Sequence, residues 1–216
     1  MRKNFEASLD QLNESLITMA DMVTESISQS VICLRDKNVE LAKKVIANDV
    51  DINSKEKEIE AKCVELLLRE QPVASDLRFV TSILKMITDL ERIGDQAADI
   101  AFLNVKLTRR NYEVEDLGSV IEMAKITKVM VEDAIKAHVT GDSELAVEVV
   151  ERDEKVDELF TKVRKEVIAD IKSESFTAKN SLDIFMISKY LERIGDHAGN
   201  IGRRVYFSLK GEHLEE

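Results

Sequence analysis

The stretch that decides the fold occurs twice: Leu90–Ile100 reads LERIGDQAADI and Leu191–Ile201 reads LERIGDHAGNI, 101 residues apart. An identical LERIGD at two equivalent places is not a coincidence of composition. A second pair lies upstream of it. Asn38–Asn53, NVELAKKVIANDVDIN, aligns with Asp142–Asp157, DSELAVEVVERDEKVD, at an offset of 104. Glu40, Leu41, Ala42, Val45 and Asp49 recur there as Glu144, Leu145, Ala146, Val149 and Asp153. One small deletion in a turn of the second copy explains the change of offset. The chain is therefore two copies of one supersecondary unit.

Outward from the motif, apolar residues recur at spacings of three and four along nearly the whole chain, the period of amphipathic helices. Six helices are expected, at about Asn4–Leu34, Val39–Glu70, Ser75–Leu107, Ser119–Val139, Ser143–Lys172 and Ala178–Leu209. Asn38, Ser75 or Asp76, and Asp142 are the expected caps, with Pro72 and Gly141 as breakers. Helices near 30 residues would be about 45 Å long. Thr108–Gly118 loses the apolar period and is the expected boundary between residues 1–110 and 111–216. The fold class is all-α: two tandem, pseudo-symmetric three-helix bundles built from six long antiparallel helices.

Composition agrees. Only 7 Gly and 1 Pro occur in 216 residues, too few turn formers for a sheet-rich fold of this length. A net charge of −11 opposes nucleic-acid binding, which depends on basic patches. The N-terminus has no apolar signal region, and no window is apolar enough to span a membrane. Cys33 and Cys63 sit on apolar stripes and read as buried thiols of a reducing, cytoplasmic setting.

The repeated acids carry the chemistry. Asp49 and Asn53 are four apart, as are Glu91, Asp95 and Asp99, Asp153 and Asp157, and Glu192, Asp196 and Asn200. Each run lies on one helix face. Each also falls at or beside the apolar stripe, where like charges repel and desolvation is costly. Three explanations compete: a solvated charged edge paired with Arg92 and Arg193, a structural network of acids and arginines, and cation binding between facing rows. The presence of the rows in both halves favours the third, with hard cations bridged by oxygen ligands. Gly94 and Gly195 inside the motif cost about 1 kcal/mol each as helix-interior glycines and leave room beside the acids. A di-iron oxidase would need Glu-x-x-His pairs, and Glu91 and Glu192 are followed at three by glycine. His197 falls on another side of the helix from Glu192 and reads as a surface or interface histidine. Walker loops, Rossmann glycines and nucleophile elbows are absent.

The paired LERIGD motifs, with DLRFVTSILKMITDLERIGD as the third helix, resemble the PhoU family of phosphate-transport accessory proteins over essentially the whole chain. The resemblance implies two three-helix bundles and an E/D-xxx-D metal-cluster signature, matched at Glu91–Asp95, Asp95–Asp99, Asp153–Asp157 and Glu192–Asp196. Amides stand at Asn53 and Asn200 and can still offer a carbonyl oxygen. It implies divalent or trivalent ions, drawn from Fe, Zn, Mn, Mg or Ca, in multinuclear sites. It also implies a non-enzymatic regulator that represses the phosphate-starvation response and phosphate uptake. The implied partners are the ATPase subunit of the phosphate ABC transporter and a two-component sensor kinase, met at the membrane face. A homodimer is expected. The alternative is a metal-dependent hydrolase or oxidase on a helical bundle, for which no base or nucleophile can be named.

Overall fold

The computed structural model describes residues 2–112, 117–172 and 178–214. It comprises α1 (Arg2–Asp36), α2 (Val39–Glu70), α3 (Ser75–Arg109), α4 (Gly118–Thr140), α5 (Ser143–Glu151), α6 (Asp153–Lys172) and α7 (Ala178–Lys210). Among the described residues there is no β-strand. Part of the expected boundary segment, residues 113–116, lies outside the described residues.

Local chemistry sets most of the ends. The Asn38 side chain accepts the Leu41 N–H at 3.0 Å and caps α2. Asp142 does the same for α5, accepting the N–H groups of Glu144 and Leu145. Gly141 closes α4 at φ 69°, a conformation that glycine adopts without strain. The expected caps of α3 are not there. Ser75 lies inside the helix, and the cap position is Ala74, which makes no side-chain bond.

The fifth expected helix is also interrupted. The rod over residues 143–172 breaks at Arg152 into α5 and α6. Arg152 turns toward α4 and pairs with Asp133, while its second guanidinium nitrogen reaches Glu148 at 3.3 Å. The equivalent position in the first repeat is Asn48, and α2 runs through it unbroken. Arg152 itself keeps right-handed helical angles, φ −67° and ψ −18°, so the division is a local irregularity in one continuing rod.

α1, α2 and α3 pack together, as do α4, α5, α6 and α7. α3 and α7 lie against each other at the centre, and α1 lies against α4. Pairing of Asp89 with Arg204 and of Arg110 with Asp183 shows that α3 and α7 run antiparallel. One hydrophobic cluster extends from Phe5 through Leu90 and Met130 to Val205, crossing both repeats. Because α3 touches α1, α2 and α7, its buried band is wider than its apolar stripe. Asp89, Gln96 and Asn104 are buried, whereas Leu77 and Phe102, which the periodicity places inward, are exposed. Both cysteines are buried and free, and burial pushes the Cys33 thiol up to about 11 and the Cys63 thiol up to about 12.

Candidate metal centre

Each acid row forms where one helix of a repeat meets the LERIGD helix of the same repeat. In the first repeat α2 brings Asp49 and Asn53 against α3. Gly94 makes the approach possible: a Cβ there would lie 3.1 Å from the Ile52 side chain and 3.6 Å from Asp49 Oδ1. In the second repeat α6 brings Asp153 over α7. A Cβ at Gly195 would stand 2.9 Å from Asp153 Oδ1, and one at Gly199 would stand 3.6 Å from Oδ2. The motif glycine therefore admits the aspartate of the neighbouring helix. Sequence spacing alone suggested only that space was being left.

The acids share one another's fields. Asp49 is shifted upward from the ordinary aspartate value, first because it is buried and next because Asp95 is near. The Asn53 amide donates to Asp49 Oδ2 at 3.2 Å and opposes that shift, while Asp99 adds to it. Glu91 is raised by burial and then by Asp95, with Arg92 opposing and Glu56 and Asp49 adding. Asp153 is pushed up to about 6 by burial, then by Asp196 and Asp157 against Arg203, with Glu192 adding. The ten expected positions thus fall into two groups: Asp49, Asn53, Glu91, Asp95 and Asp99, and Asp153, Asp157, Glu192, Asp196 and Asn200. Asp49, Asn53, Glu91, Asp95, Asp153, Glu192 and Asn200 are half-buried, and Asp99, Asp157 and Asp196 are exposed.

Asp99 also belongs to the seam between the repeats, where it takes part in a hydrogen bond with Tyr190 of α7. His197 lies on that seam as expected, its Nδ1 3.0 Å from Asp89 Oδ1. Asp89 was not foreseen as structural. It is 6% exposed, and its second oxygen accepts Arg204 Nε at 2.7 Å.

Glu56 was missed too. It neighbours Glu91 electrostatically and lies 3.5 Å from the Thr88 hydroxyl. Its signal was the continuation of Asp49 and Asn53 along the same face of α2. The repeat comparison hid it, because the equivalent residue is Phe160.

Among the described residues, no three carboxylate, imidazole or thiol side chains are gathered closely enough to hold one ion as they stand. The donor set nonetheless fits a hard cation. Asp49 Oδ1 and Asn53 Oδ1 are both buried without a hydrogen-bond partner. Unpaired oxygens beside repelling carboxylates are what a bridging cation would satisfy. Glu91 and Asp95 also face Arg92, at 3.4 Å and 3.2 Å.

The comparisons place this architecture. The PhoU domain model matches the chain twice, at residues 16–103 and 120–205. The phosphate-specific transport system accessory protein PhoU homolog 1 of Thermotoga maritima is 33% identical over 213 residues, covering 99% of this chain and 92% of that protein. The crystal structure of PhoU from Pseudomonas aeruginosa superposes with a TM-score of 0.91 at 33% identity, covering 96% of this chain and 100% of that one. The phosphate transport system regulatory protein PhoU from Streptococcus pneumoniae superposes with a TM-score of 0.90 at 31% identity, covering 98% and 100%. With the motif helix, the duplicated bundle and both family-domain matches in register, the chain belongs to the PhoU family.

Proposed function

We propose that this protein is a non-enzymatic accessory regulator of phosphate transport that binds metal ions on its two acid rows. The observation that carries the reading is the whole-chain match to proteins named as phosphate-transport accessory and regulatory factors, each acid row lying against the motif helix. On this reading the protein represses the phosphate-starvation response and phosphate uptake. It does so by linking the ATPase subunit of the phosphate ABC transporter to a two-component sensor kinase. It works in the cytoplasm, reaching the membrane only through those partners. Among the described residues no helix is long and apolar enough to cross a membrane, which is compatible with that placement. A homodimer belongs to the same reading, supported by the apolar side chains left exposed on α1 and α4, among them Ile17, Ile32 and Val139.

The ions would be Fe, Zn, Mn, Mg or Ca held by carboxylate and amide oxygens. They would join helices of one repeat and neutralise charge that the fold otherwise leaves in repulsion. A metal-dependent hydrolase or oxidase is the alternative reading, and the whole-chain match to proteins named as accessory and regulatory factors favours the regulator over it. The deciding experiment is deletion of the gene in its host with a phosphate-starvation reporter. Reporter activity should rise in phosphate-rich medium and fall again on complementation. An unchanged reporter would refute the regulatory role.

A further inference from the structure

The two acid rows are not copies of each other in charge. Lys189 Nζ lies 2.5 Å from both carboxylate oxygens of Glu192. Arg203 Nη1 donates to Asn200 Oδ1 at 3.3 Å. The same nitrogen would stand 3.5 Å from a Cβ at Gly199, whose other neighbour is Asp153. Glu192 and Asn200 thus already have their oxygens facing cations of the chain, and Arg203 also acts on Asp153.

The positions equivalent to Lys189 and Arg203 in the first repeat are Thr88 and Phe102, both uncharged. Thr88 offers its hydroxyl to Glu56 and to the Leu84 carbonyl, and Phe102 is exposed. The first row keeps two buried oxygens unpaired, Asp49 Oδ1 and Asn53 Oδ1. The first row has one cation of its own, Arg92, 3.4 Å from Glu91 and 3.2 Å from Asp95, and the second repeat keeps its counterpart, Arg193. Each repeat thus carries one motif arginine, and Lys189 and Arg203 are two further cations that only the second row has.

We propose that Lys189 and Arg203 are built-in counter-cations of the second acid row, so that metal loads first onto Asp49, Asn53, Glu56, Glu91, Asp95 and Asp99, and onto the second row only by displacing those two side chains. This deepens, and rests on, the metal-binding reading above. A fixed positive charge a few ångströms from a cation site opposes binding, and two of them oppose it further. The two repeats then differ in the metal concentration at which they fill.

The test uses the full chain, stripped with chelator and titrated with Mn²⁺ in equilibrium dialysis with elemental analysis. The wild type should bind in a tight and a weak phase. Asp49→Ala with Glu91→Ala should remove the tight phase, and Asp153→Ala with Asp196→Ala only the weak one. Lys189→Thr with Arg203→Phe should tighten the weak phase by about tenfold or more, in line with removal of two nearby charges. Arg193→Thr, which removes a charge common to both repeats, should leave the difference between phases in place. Conversely, Thr88→Lys with Phe102→Arg should weaken the tight phase. One phase shared equally by both rows, or a Lys189 and Arg203 double variant that binds as the wild type does, would overturn the proposal. Absence of binding in every protein, with Mn²⁺ and with Fe²⁺, Zn²⁺, Mg²⁺ and Ca²⁺ in the same dialysis, would instead overturn the metal reading, and this inference with it.

Discussion

His138 stacks on Phe79 with ring centroids 4.6 Å apart and is 3% exposed. Burial lowers its proton affinity, and its pKa falls to about 4 from 6.5. The sign of the consequence is fixed by linkage. The unfolded chain takes up the proton near pH 6.5 while the folded chain resists it down to about 4. The stabilisation is therefore complete above about 6.5 and is lost as pH falls through that window toward 4. Roughly 3 kcal/mol is the upper bound for such a gap. Urea unfolding between pH 7 and 4 should show the loss, and His138→Phe, which keeps the stack on Phe79, should flatten it. An equal slope in the variant would assign the pH dependence elsewhere. This residue was not legible as special in the sequence, because a histidine on a helix says nothing of what it packs against.

At the scale of helices, glycine decides how closely the rods approach, and the three buried glycines of α7 do so in different ways. At Gly195 and Gly199 the nearest atoms of another helix belong to the Asp153 carboxylate, the movable end of a side chain. At Gly202 a Cβ would stand 2.9 Å from the backbone oxygen of Ala146 on α5, which cannot rotate away. Gly202→Ala should therefore lower stability by about 1–3 kcal/mol through overpacking, despite the gain in helix propensity. Gly195→Ala should cost little in thermal denaturation and act on metal binding by moving Asp153. If both substitutions lower the melting temperature equally, the distinction between backbone and side-chain obstacles is wrong. The break at Arg152 belongs to this scale too. Arg152 there pairs with Asp133 on α4, a partner from another element that the helical period of residues 143–172 does not reveal.

For the whole molecule, the antiparallel seam of α3 and α7 joins the repeats through polar contacts inside a continuous apolar core. Arg110 pairs with Asp183 at 2.7 Å and donates to Asn180 at 3.0 Å at one end. Nearer the other end, Asp89 is clamped by His197 and Arg204. Removing a buried partner strands the other charge. Asp89→Ala should cost ~3 kcal/mol, the lower part of the range for a broken buried pair, since Arg204 keeps some contact with water. Because the hydrophobic cluster crosses the seam, probes in either repeat should report one shared transition shifted by the same amount. A loss confined to one repeat, or a loss below ~1 kcal/mol, would show that the seam is solvated in practice.

The sequence by itself determined the helical class, the duplication, nearly every helix end and the two acid rows. These are local or periodic properties: the spacing of apolar residues, the side chains of Asn38 and Asp142, the repeated LERIGD. Family membership was legible for the same reason, since the motif is contiguous. The tertiary structure decided what each acid faces. It seats Asp49 and Asp153 against the motif glycines of neighbouring helices, adds Glu56 to the first row, and gives the second row Lys189 and Arg203. It also buries Asp89 and exposes Phe102. Periodicity ranks residues by face around one axis, whereas burial depends on how many helices surround that axis, and α3 and α7 each have several. The charge on a row is likewise a sum over side chains from separate elements, and only packing brings those charges within range of one another.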